Sequence, residues 1–130
     1  MQNNFEIWAV DSGASFHMTA KRHLFVEYNP YQVKRAIITA DVNSQLAIIG
    51  SGTVRLQLTV GGFTQYVGLK NVLHVENLST NLLSLRELLK QYDLHSSPEY
   101  FAFMDKNDKT ISFTAMFDAN SQLYVLKTCL

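Results

Sequence analysis

A single cysteine, Cys129, in 130 residues leaves no partner for an internal disulfide and no paired-cysteine site for zinc or redox chemistry. A reducing, cytoplasmic setting is the expectation. Only 2 prolines and 6 glycines exclude a collagen-like repeat and a Pro/Gly-rich linker. No run of 18 apolar residues occurs, and Met1-Gln2-Asn3-Asn4 is not a basic segment leading into an apolar one, so neither a membrane span nor a secretion signal is expected. Asn77-Leu78-Ser79 then reads as a coincidental sequon. Charge of one sign is also missing: 11 basic and 11 acidic residues give a formal net charge of +0, with no field to draw in a nucleic-acid backbone or an anionic membrane. What is present is 47% hydrophobic residues, enough for one core and one domain.

The patterning is mostly β. Phe5 to Val10 is short, aromatic and branched, and stops at a tight Asp11-Ser12-Gly13 turn. Asn29-Pro30 reads as a turn closing a mixed segment. Val33 to Ala40 and Gln45 to Val60 form a hairpin with a polar tip, Asp41-Val42-Asn43-Ser44, and Val54, Leu56, Leu58 and Val60 alternate with Arg55, Gln57 and Thr59. Gly61-Gly62 turns the chain into Phe63 to Leu69, Lys70-Asn71 interrupts, and Val72 to Val75 follows. One helix is predicted, over about 81–92, capped by Ser79 or Thr80, with Leu82, Leu85, Leu88 and Leu89 on its core stripe. Three strands follow: Tyr100 to Met104, Thr110 to Thr114 and Leu123 to Leu126.

Asp11-Ser12-Gly13-Ala14 at a strand end fits acid–base activation of water, the alternative being a turn-forming Asp that caps its own loop. Asp11 would supply the carboxylate, the Ser12 hydroxyl support the loop, Gly13 leave space beside the carboxylate for a second copy of the loop, and Gly13 with Ala14 line the floor. His17, His23, His74 and His95 have no metal-ligand spacing and read as surface or loop histidines, and no metal or organic cofactor is expected. Lys21, Arg22 and His23 read as a solvated turn. Gly50-Ser51-Gly52, inside a strand pattern, marks a place where backbone passes close to something.

The chain resembles the protease of Ty1/copia-type retrotransposons across roughly residues 7 to 127. The resemblance is carried by four ordered blocks: Trp8-Ala9-Val10-Asp11-Ser12-Gly13-Ala14-Ser15-Phe16-His17-Met18-Thr19, Gly50-Ser51-Gly52-Thr53-Val54, Leu69-Lys70-Asn71-Val72-Leu73-His74-Val75, and Leu78-Ser79-Thr80-Asn81-Leu82-Leu83-Ser84-Leu85. It implies a retropepsin-like closed β-barrel or sandwich with a flap hairpin and extra C-terminal strands. Within a single domain over 1–130, it implies a protease core over about 5–95 and a β extension over about 98–127.

The resemblance further implies an aspartic endopeptidase active as a homodimer. Each chain would contribute Asp11 to a dyad that holds one shared proton and activates water, giving a bell-shaped pH profile. Asp11-Ser12-Gly13 is the only such triplet, and the chain is too short for two lobes, which agrees with one aspartate per chain. The implied substrate is an extended segment of the element's own Gag-Pol-type polyprotein. It would lie under a flap made of Ile38, Thr39, Ala40, Asp41, Val42, Asn43, Ser44 and Gln45. The implied location is the cytoplasm, within virus-like particles. Unlike the retroviral relatives, the chain has Ser15 and Ser79-Thr80 where those carry an acidic residue and Gly-Arg. The rival expectation is a silent or domesticated protease fold that serves as a dimerisation or peptide-binding module.

Overall fold

The computed structural model describes residues 5–38 and 45–129. In chain order the elements are β1 (Phe5–Asp11), β2 (Met18–Thr19), β3 (Phe25–Ile38), β4 (Gln45–Val60), β5 (Phe63–Val75) and β6 (Asn81–Ser84). A short helix α1 (Leu85–Leu89) follows, then β7 (Tyr92–Ser96), β8 (Tyr100–Asp105), β9 (Ile111–Asp118) and β10 (Leu123–Cys129). The strands join in the order β3-β4-β5-β2-β6-β1-β10-β9-β8-β7, and a further β4–β10 pairing bends this sheet into a ring. Six strands close the ring, β4-β5-β2-β6-β1-β10, through Cys129 opposite Gln57. The expected mostly-β closed barrel with one helix is what the chain forms.

Alternation explains the walls. Val54, Leu56 and Leu58 point into the core while Arg55 and Thr59 face out. Gly61 and Gly62 both take positive φ, the conformation a two-residue hairpin turn demands. One core runs from Trp8, Val10, Val72 and Leu83 into the C-terminal strands, where the Phe103 and Phe113 rings stack at 4.8 Å with Tyr92 edge-on. The C-terminal extension therefore shares the core, and β10 pairs with β1 from Phe5↔Cys129 to Ala9↔Val125.

Three sequence expectations are corrected. Asn29-Pro30 does not end a segment: both residues lie within β3, an outermost strand of the sheet, where proline's missing N–H is tolerated, and the register shifts between Pro30 and Arg35. The helix over 81–92 shrinks to Leu85–Leu89, because Asn81–Ser84 is drawn into parallel pairing with β1 and Tyr92 opens β7. The cap is Ser84, whose Oγ accepts from Glu87 N–H at 3.2 Å, in place of Ser79 or Thr80. The leucine stripe shifts accordingly, so that Leu83 and Leu88 are buried, Leu82 and Leu85 are half-buried, and Leu89 is exposed. Tertiary pairing here outweighs a helical spacing only a few residues long.

Gly50-Ser51-Gly52 does mark a close approach. A Cβ on Gly52 would run into the backbone carbonyl of Glu27 on β3, and one on Gly50 into the Tyr28 ring. Gly52→Ala is therefore expected to cost at least about 2 kcal/mol in denaturant unfolding, since backbone cannot step aside as a side-chain tip can. Gly68→Ala, whose Cβ would meet nothing within 4 Å, is the control and should lie within about 0.5 kcal/mol of wild type. Equal stability of the two variants would contradict the β3–β4 packing.

Candidate active site

Asp11 is the last residue of β1 and lies opposite Ser84, the last residue of β6. Because β6 sits between β1 and β2, the loop over 12–17 must cross the end of β6 to join its two neighbours. That crossing presents Asp11. Gly13 N–H donates to Asp11 Oδ1 at 2.8 Å, and Ala14 N–H reaches Asp11 O at 3.4 Å, so the carboxylate is held within its own turn. From below, Ser84 Oγ–H donates to Ala14 O at 2.7 Å and Ser84 N–H donates to His17 Nδ1 at 2.9 Å. Leu73 N–H of β5 donates to His17 O at 2.9 Å.

A second polar cluster ties together the three strands that carry this loop. Glu6 of β1 is buried and accepts from Lys21 Nζ at 2.8 and 2.7 Å through its two carboxylate oxygens. Asn81 Nδ2 of β6 donates to Glu6 Oε2 at 3.0 Å and to Ile7 O at 3.0 Å, and Thr19 Oγ1–H of β2 donates to Asn81 Oδ1 at 2.6 Å. Buried polar groups satisfied this completely fix strand positions. Lys21, Arg22 and His23 are all exposed, as a solvated turn requires; Lys21 in addition pairs with Glu6, and Arg22 lies 3.8 Å over the Tyr28 ring.

Of the expected site residues, Asp11 is half-buried, Ser12 and Gly13 are exposed at the crest, and Ala14 is buried beneath. Among the described residues, the hydrogen bonds reaching the loop from outside come from Ser84 and Leu73. Gly13 has no left-handed φ, and a Cβ there would meet only Asp11 Oδ1, at an ordinary 3.4 Å, so the single-chain fold does not itself require glycine. A cleft beside the loop is bordered by His17, Lys70, Glu87 and Lys90. For the flap, Ile38 and Gln45 pair at the described end of the β3–β4 hairpin. Thr39, Ala40, Asp41, Val42, Asn43 and Ser44 lie outside the described residues.

Two of the histidines expected at the surface or in loops are buried, His17 within the 12–17 loop and His74 on β5. Ala20 O can only accept, so His74 Nε2–H donates to it at 3.1 Å, and His74 Nδ1 is hydrogen-bonded to the Tyr28 hydroxyl at 2.6 Å. Burial pushes His17 down from 6.5 to about 4, with the Glu87 carboxylate pulling weakly the other way. Ser84 was missed as well. The signal available for all three was their place inside the family-like blocks, which spacing rules for metals and caps do not read.

Residues 8–92, about two thirds of the chain, match the family described as Pol polyprotein, beta-barrel domain. The chain belongs to that family, which gives it a place in the Pol region of a retroelement. The ring of strands agrees with the family's description. No curated protein and no solved structure matches the chain. Among the described residues no helix is long and apolar enough to cross a membrane.

Proposed function

We propose that the chain is the aspartic endopeptidase of a Ty1/copia-type LTR retrotransposon, acting as a symmetric homodimer on its own Gag-Pol-type polyprotein within virus-like particles. One observation carries the reading. Asp11 ends β1, half-buried beside the exposed Ser12 and Gly13 of a loop braced from beneath, and among the described residues its side chain bonds only to Gly13 N–H, so the single chain offers half of an acid–base pair. A second copy of the loop, meeting this one across the exposed Gly13, would bring two carboxylates within about 3 Å, where they share one proton. One then takes a proton from water and the other protonates the scissile carbonyl oxygen. The chemistry needs no group beyond the two carboxylates and water.

The test is cleavage of a precursor that spans this chain and its flanking polyprotein, measured over a wide dilution series beside sedimentation. Where dimer is scarce, the rate should rise with the square of protein concentration, because dimer is then a second-order species. Constant specific activity at concentrations holding only monomer would overturn the shared site. Dimer without cleavage at any concentration would favour the silent dimerisation module.

A further inference from the structure

We propose that His17 and Ser84 are positioning residues for Asp11, forming a buried clamp that holds the 12–17 loop only while His17 Nδ1 carries no proton. The clamp itself stands on hydrogen-bond geometry; its catalytic consequence rests on the aspartic-peptidase reading above.

Ser84 is fully buried and makes both side-chain-dependent bonds to the loop, one to Ala14 O and one to His17 Nδ1. Its hydroxyl proton is committed to Ala14 O at 2.7 Å, while the same oxygen accepts from Glu87 N–H at 3.2 Å. The residue therefore locks the loop, the end of β6 and the first turn of α1 into one unit, opposite Asp11 in the strand register.

His17 is the member of the clamp that can change state. As acceptor for Ser84 N–H, its Nδ1 must be bare, which puts the ring proton on Nε2. Protonating Nδ1 would aim an N–H at the Ser84 N–H in a buried place, replacing an attraction with two facing donors. His17 O is anchored to Leu73 on β5, so relief must come from the imidazole or from the loop segment leading back to Asp11. Glu87 on α1, Lys90 just past its end and Lys70 on β5 border the same cleft of about 510 Å³, and β1 brings Asp11 to this end of the barrel. Glu87 is itself engaged by Lys90 at 2.8 Å, and its field does not outweigh the burial that keeps the imidazole neutral. Around neutral pH the clamp is closed. On acidification it opens, and Asp11 loses its bracing by a route separate from the dyad's own uptake of a second proton.

His17→Asn separates the two routes, because the Asn carboxamide oxygen can accept from Ser84 N–H near the place of Nδ1 and does not titrate. The experiment follows the His17 ring by NMR and the protection of the Ser84 amide by hydrogen exchange from pH 7 to 3.5, in wild type and His17→Asn. Wild type should lose at least about ten-fold in Ser84 protection, relative to the Val72 core amide, in step with the His17 titration. His17→Asn should show no such step. In precursor cleavage, the acid-side fall of wild type should move about one pH unit lower in His17→Asn.

Ser84 protection that stays level while His17 titrates would overturn the clamp, and this wild-type measurement decides even if His17→Asn does not fold. Cleavage with a pH profile unaltered by His17→Asn would overturn its catalytic role. If no variant cleaves but Ser84 still tracks His17, the peptidase reading fails and the clamp stands.

Discussion

Asp11→Asn is expected to lower cleavage of the precursor by about 10²–10⁴-fold or more while the barrel stays folded. The amide keeps the shape of the carboxylate, and its Oδ1 still accepts from Gly13 N–H, so the turn that presents residue 11 survives. The loop's bonds to Ser84 do not involve the Asp11 side chain, so they survive as well. What is lost is proton exchange, since an amide neither takes a proton from water nor returns one to a carbonyl near neutral pH. Initial rates of wild type and variant at matched, dimer-saturating concentration, with circular dichroism of both, make the check. Activity in Asp11→Asn near the wild-type rate would end the mechanism.

The second large effect is on stability. His17 is neutral in the folded protein down to about pH 4, whereas a free imidazole takes its proton near 6.5. Between those values the unfolded chain binds more protons than the folded one, so stability falls as pH drops through that window and levels off below it. The full difference corresponds to about 3 kcal/mol, a large share of a small domain's stability. Urea unfolding midpoints from pH 7 to 4 should show this loss. In His17→Asn the loss should shrink, because the carboxamide leaves nothing to titrate at that place. A pH dependence identical in the two proteins would show that His17 is not the buried group responsible.

The barrel walls were legible because burial and sequence share a period. Val54 to Val60 alternate, Gly61-Gly62 demands its own turn, and Phe5 to Val10 could only be a strand. The segment over 81–92 was not, because helical spacing and a four-residue strand agree over so short a span, and only pairing with β1 separates them. Pro30 misled for a related reason: a proline ends a central strand but not an outermost one, and strand order is not written locally. Asp11 was legible from its Ser-Gly turn at a strand end, a local feature. Its bracing was not, since Ser84 and His17 are 67 residues apart and meet only once β6 lies between β1 and β2. Glu6, Thr19, Lys21 and Asn81 were invisible for the same reason, a polar network assembled across three strands.

The claim that two chains share one active site is tested most directly by mixing. Wild type at fixed concentration is titrated with Asp11→Asn at concentrations where sedimentation shows dimer, and cleavage of the precursor is followed. Random pairing places most wild-type chains in mixed dimers that lack one carboxylate, so a nine-fold excess of the variant should reduce activity to about a tenth. Activity that stays constant through the titration would mean that each chain carries a complete site, and would contradict the account.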